Sequence, residues 1–237
     1  MALKATGNLV PIIYKEEFDD EATAFLKKYY PEALVTPITV PILEIAKEGM
    51  RLTVMSRNLT EDLSTFGQMC FTEGLAEIYD KDEDEYREIS IKGGTMIIDP
   101  DTFFQRNIGC MNNTIAHECF HWHRHRNYHF MQNLLEGKQS VACRCPVEAK
   151  DERFKEKWTD EDWMEWQASG IAPKILLPKE TFGLKVDQFL KESKKNPFIA
   201  AELMSPKQWV IDQLADFYKV SKISVRIRLD ELGICRE

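Results

Sequence analysis

The sequence predicts an α+β fold. Three observations carry this: a helical apolar period near the N-terminal end, short strand patterns between Met50 and Asp99, and helical patterns again beyond residue 112. The 237 residues suit one sizeable domain with a small appendage, and a hydrophobic content of 43% is enough to fill a core. A formal net charge of −8 argues against general nucleic-acid binding by the whole chain, while leaving room for a local basic patch. No apolar run approaches the roughly 20 residues of a membrane span. The first 17 residues do not read as a signal peptide, so the expected location is cytoplasmic. The six cysteines, at 70, 110, 119, 143, 145 and 235, are then expected as free thiols or metal ligands rather than disulfides.

Taken in order, Glu16 to Tyr30 reads as an amphipathic helix with Phe18, Ala22, Phe25 and Leu26 on one side, stopped by Pro31. Pro41 opens a short helix, Ile42 to Lys47, before Gly49. Strand patterns follow at Arg51–Met55, Gln68–Tyr79, Glu88–Ile91 and Thr95–Asp99. The acidic connection Asp80–Glu85 reads as a solvated hairpin tip rather than a calcium loop. Asn112 or Asn113 can cap a helix running through the histidines to about residue 125. The Cys143–Pro146 stretch reads as a loop or short strand. Thr159-Asp160-Glu161-Asp162 resembles a capping box with Asp in place of Glu, opening a helix to about residue 177 that Pro173 should kink or restart. Ser205-Pro206 and Ser221 start two last helices, the second ended by Gly233.

All five histidines, 117, 121, 123, 125 and 129, lie within thirteen residues. His117 and His121 are four apart, so on a helix they point about 40° apart and one turn apart in height, close enough to share one ion. Glu118 lies about 100° around from His117, which suits a general base reaching water beside the ion. This H-E-x-x-H arrangement, His117-Glu118-Cys119-Phe120-His121, is a specific signal for a zinc hydrolase. A catalytic zinc needs a third protein ligand, to be found among the downstream acids and cysteines. Glu165 is the first choice, because Ala168 on the same helix allows two helices to approach closely. Glu161 and Asp162 fit cap and dipole roles better.

The stretch Thr114–His125, TIAHECFHWHRH, followed by Glu165–Pro178, EWQASGIAPKILLP, resembles the ImmA/IrrE family of metallopeptidases. The closing segment Ile211–Gly233 is similar to the helix-turn-helix-like region that follows the peptidase in that family. The resemblance implies a zincin-like fold, with a small antiparallel or mixed sheet packed on the active-site helix and a helical C-terminal segment. It implies a peptidase domain over residues 1–198, with helices in 1–49, the sheet in 50–99 and the ligand helices at about 112–125 and 160–177. The helix-turn-helix-like segment is 199–237. It further implies His117, His121 and Glu165 as zinc ligands, Glu118 as base, and a DNA-binding repressor in stress or mobile-element regulation as the protein substrate. Two positions depart from the family pattern. Ser169 stands where Asn or Asp is common, and Phe120 stands where Gly is frequent.

The other candidates are read beside this. His125 continues the 117–121–125 stripe and suits a role behind the ligands or at the helix end. Members of the family often carry His there. His123 is expected to be exposed. His129 and Tyr128 lie past the expected helix end, as transition-state donors or surface residues. Cys143-x-Cys145 is a poor spacing for a tetrahedral site, though a structural metal or a redox role for Cys119 stays open. Lys222, Arg226 and Arg228 could meet phosphate on the last helix, whereas packing or protein docking fits the acidic chain better. A strand such as Thr95–Asp99, just before the histidine helix, could pair with an extended substrate by strand addition. The competing functions are a zinc (or manganese) endopeptidase, a metal-containing DNA-binding regulator without proteolysis, and a metal-binding protein without a substrate.

Overall fold

Phe18, Ala22, Phe25 and Leu26 are all buried, so this stripe turns one face of α1 (Phe18–Tyr29) inward. Acids in its first turn and lysines in its last complement the helix dipole. A 3-10 turn at Pro31–Leu34 follows, then α2 (Ile42–Glu44) widening into a π turn at Ile45–Gly49. The computed structural model describes residues 6–7, 9–136, 142–146, 158–200 and 205–234, and over them the architecture is α+β. The side chains of Cys143, Cys145 and Cys235 lie outside the described set. No helix among the described residues is long and apolar enough to cross a membrane.

Five strands follow: β1 (Thr53–Ser56), β2 (Thr65–Cys70), β3 (Gly74–Asp80), β4 (Glu85–Ile91) and β5 (Thr95–Ile98). The expected strand Gln68–Tyr79 is in fact two, broken after Cys70. β2 joins a mixed sheet of order β1-β5-β2-β6, whereas β3 leaves it to form a hairpin with β4. β5 runs parallel to β1 and antiparallel to β2, with Ile97 opposite both Met55 and Gln68. Strand addition to residues 95–99 is therefore corrected, because both of that strand's hydrogen-bonding edges are already taken. β6 (Ala142–Pro146) adds to the far side of β2. Every residue of β2 is buried, as expected for a strand covered on both faces. α3 lies on one side, and Leu59, Cys70, Ala76, Ile91 and Ile97 form a small cluster that includes the base of the hairpin.

The histidine helix starts earlier and ends later than its sequence suggests. α3 (Ile108–Phe120) is capped by Asn107, whose Oδ1 accepts from the Cys110 N–H at 2.9 Å, rather than by Asn112 or Asn113. It continues through a π turn, His121–His125, directly into α4 (Arg126–Glu136). α5 (Asp160–Leu176) has the expected reciprocal cap. Thr159 Oγ1 accepts from Asp162 N–H, and Asp162 accepts from Thr159 N–H. α5 runs through Pro173 to Leu176 without restarting, and it packs against both α3 and α1.

After Pro178 comes α6 (Lys179–Ser193), a helix the sequence reading passed over. Its buried Phe182, Val186 and Phe189 have ordinary helical spacing, so the pattern was there to be read. α7 (Pro197–Ala200), α8 (Pro206–Tyr218) and α9 (Lys222–Glu231) complete the chain. α8 ends on Lys219 in the left-handed region, and Ser221 caps α9 by accepting from Ser224 N–H. The turn between them meets the start of α3 at Gly109. A Cβ there would lie 2.4 Å from Ser221 N and Val220 C, so only glycine permits this approach.

Candidate metal centre

α3 and α5 bring three side chains from distant parts of the chain to one point. Nε2 of His117 lies 3.2 Å from Glu165 Oε2, Nε2 of His121 lies 3.2 Å from Glu165 Oε1, and the two nitrogens are 2.9 Å apart. Among the described residues, this is the one group of three or more His, Cys, Asp or Glu side chains disposed to hold a metal ion. The acidic hairpin tip at 81–84 does not form one. The close approach of α3 and α5 that the small Ala168 was expected to permit is present, and Ala168 is fully buried.

The three residues fit a divalent ion. Metal–ligand bonds of about 2.05 Å in a tetrahedron place ligand atoms roughly 3.3 Å apart, and the observed separations lie close to that edge. Burial disfavours ionisation of Glu165, but the facing imidazoles of His121 and His117 outweigh it and hold the carboxyl below its usual range. Burial lowers the pKa of His117, which keeps its imidazole neutral as ligation requires.

Glu118 is fully buried beside this group; neither carboxylate oxygen has a hydrogen-bond partner of good geometry, although the Met69 N–H comes near enough to oppose part of the burial effect. Burial pushes its carboxyl well above the usual range, and the Glu165 charge pushes the same way. A buried acid with both oxygens unpartnered is costly unless something polar is meant to meet it. β2 shapes the space around it. A Cβ on Gly67 would lie 2.5 Å from Thr114 Cγ2 and 3.1 Å from Glu118 Oε1, so the strand backbone is pressed against the acid.

Of the remaining histidines, His125 stands behind His121, as its place on the stripe suggested, whereas His123 and His129 depart from their expected positions. His125 is fully buried, with Nδ1 2.9 Å from His121 Nδ1 and Nε2 3.0 Å from Gln167 Oε1. Phe120, the departure from Gly, meets the His125 ring edge-on at 5.5 Å and sits in the core. Burial drives His125 well below the usual imidazole range, and the neighbouring His121 ring pushes the same way. His129 lies within the continuing helix rather than beyond it. Its ring stacks on Phe71 at 3.8 Å, and burial lowers its pKa to about 3. His123, expected to be exposed, is half-buried between Phe25 and Tyr29, and burial lowers its pKa to about 3 as well. The π turn explains much of this, since one extra residue in a turn rotates everything after it by about 100°.

Tyr128 donates its hydroxyl hydrogen to Glu161 at 3.0 Å, and its ring packs with Val10 and Met164. Ser169 is exposed on α5, so it does not stand behind a ligand. Gln167 stands there instead, and sequence reading missed it. The available signal was a polar residue on the buried stripe Met164, Gln167, Ala168, Ile171. Cys119 and Cys70 are buried and burial raises both thiols, that of Cys70 to about 12, which suits inert packing rather than a redox switch.

On α9, Arg228 does not face outward as the phosphate reading required. It is 2% exposed, donates to the Leu177 carbonyl at 3.1 Å, and pairs with Asp19 and Glu231. Lys222 is exposed and pairs with Asp212, and Arg226 is exposed and donates to Gln208. No protein-family model matches the chain, and no curated protein matches it.

Proposed function

We propose that the protein is a zinc-dependent endopeptidase of the ImmA/IrrE kind, with a zincin-like fold and a regulatory protein, such as a DNA-binding repressor, as substrate. The observation that carries this reading is the pairing of the His117/His121/Glu165 group with a buried, unpartnered Glu118 on the same helix. His117, His121 and Glu165 would hold the ion, and two imidazoles with one carboxylate suit zinc while also admitting manganese. When bound, the ion supplies Lewis acidity, making nearby water more acidic and polarising the scissile carbonyl.

The chain's own residues do the rest. Glu118 takes a proton from water as the water oxygen bonds to the carbonyl carbon. It then delivers that proton to the departing amide nitrogen as the C–N bond breaks. With a cation held beside it by the three ligands, Glu118 would give up its proton despite its burial and the Glu165 charge, and so could serve as a base. Burial of His117, His121 and Glu118 keeps bulk water from competing for these groups. An extended substrate needs an open strand edge, and β6 is the edge strand on the side of the sheet that touches α3 and α5.

Glu118→Gln keeps the shape and removes the base. Zinc content should stay at one per chain, while cleavage of a co-expressed candidate repressor should fall at least about 100-fold. Wild-type cleavage by this variant would refute the assigned mechanism. The DNA-binding alternative is weakened by Arg228, which is committed to the protein interior.

A further inference from the structure

His121 reaches the ligand group through Nε2, so its lone pair must be on that nitrogen for an ion to bind, and the ring proton must sit on Nδ1. Nothing in an isolated imidazole enforces this choice. The structure supplies a chain of contacts that can. Gln167 Nε2 donates to the Pro11 carbonyl at 2.8 Å. That carbonyl can only accept, so the amide nitrogen must face it and Gln167 Oε1 must face His125. An amide oxygen also only accepts, so His125 Nε2 must carry the proton in the 3.0 Å contact. A neutral imidazole carries one ring proton, so with that proton on Nε2 facing Gln167 the enclosed His125 presents a bare Nδ1 as an acceptor. His121 Nδ1, 2.9 Å away, must then be the donor.

We propose that Gln167, anchored by the backbone carbonyl of Pro11, acts through His125 as a positioning residue that fixes the tautomer of His121 and aims its Nε2 lone pair at the ion. The inference deepens the metal-site reading and rests on it for the ion, though not for the tautomers themselves. Each link is buried: Gln167 is 2% exposed and His121 and His125 are fully enclosed, so water does not offer the rings alternative partners. Phe120 holds the His125 ring edge-on, limiting its rotation. It also gives the segment around Pro11 a role, since that segment closes the chain of hydrogen bonds from outside the two ligand helices. Ser169 is exposed on the same helix, and the orienting role expected near it falls to a relay one residue longer.

The test uses the full-length protein labelled with 15N-histidine, whose ring-nitrogen shifts distinguish protonated from bare positions, with zinc and without it. In the wild type, His125 should be protonated at Nε2 and bare at Nδ1, and His121 protonated at Nδ1 in both samples. Gln167→Leu should abolish this fixed pair and lower zinc affinity about 10-fold or more by chelator competition. Gln167→Glu keeps an acceptor for His125 and should restore the tautomer pair. Finding His125 protonated at Nδ1 in the wild type overturns the proposal. So does a Gln167→Leu protein with unchanged tautomers and zinc affinity. Should that variant fail to fold, the wild-type spectrum and Gln167→Glu still decide. A wild type that shows the tautomer pair yet takes up no zinc sinks the peptidase reading and leaves the relay standing.

Discussion

At the scale of single residues, the site depends on close approaches as much as on ligands. Glu118 is held between α3 and the backbone of β2, and the space on the strand side exists because residue 67 has no side chain. Gly67→Ala would place a methyl 2.5 Å from Thr114 Cγ2, a distance that forces helix and strand apart. The expected cost is about 1–3 kcal/mol of stability, read as a lower midpoint in urea. Activity should drop further than stability explains, because the shifted atoms include those of Glu118. A variant as stable and active as wild type would show that the strand is not what positions the acid. The local placing of His117, Glu118 and His121 was legible in the sequence, because four-residue spacing on a helix leaves little freedom. Gln167 was not, because its partners, His125 and Pro11, are distant in the chain and meet it only through packing.

At the scale of elements, the histidine helix is the central piece. Its N-terminal cap is Asn107, reached after a π turn at Thr102–Arg106, and the helix then runs through α3, a second π turn and α4. A cap at Asn112 or Asn113 looked equally good locally, since both are capping types next to an apolar run. Asn107 is the cap because its Oδ1 accepts from Cys110 N–H, and Gly109, already in the first helical turn, meets the turn before α9. Asn107→Ala should therefore cost about 1 kcal/mol. Thermal unfolding should detect it as a shift of a few degrees, with zinc content unchanged. The same substitution at Asn113, mid-helix, should have little effect. The π turn was invisible to a periodicity argument, which assumes a fixed 3.6-residue turn. It changes the facing of the residues that follow it, His129 among them.

At the scale of the whole molecule, the C-terminal helices are tied to the N-terminal one. Arg228 on α9 pairs with Asp19 on α1 and reaches the carbonyl at the end of α5, while Glu231 accepts from Lys174 at 2.6 Å. A buried guanidinium with three partners is costly to break from one side. Arg228→Ala should destabilise the protein by about 3 kcal/mol, reduced somewhat because Asp19 is one-third exposed. Denaturant unfolding should show this as a lower midpoint with an unchanged slope. Equal stability would mean that the two ends of the chain are not coupled through this residue. The sequence suggested a basic helix face here, because an arginine in an amphipathic helix is usually solvated and charge alone does not reveal its partner.

The sequence by itself determined the α+β composition, the helical stripe of α1, the capping box of α5, and the local geometry of His117, Glu118 and His121. Each is set by spacing within a few residues, where helix and turn geometry leave little choice. Only the tertiary structure decided that Glu165 meets both histidines, that β5 is interior, that Gln167 stands behind His125, and that Arg228 is buried. Those depend on which elements pack together across 25 residues of chain or more. Packing is governed by the fit of whole surfaces, and no local period encodes it.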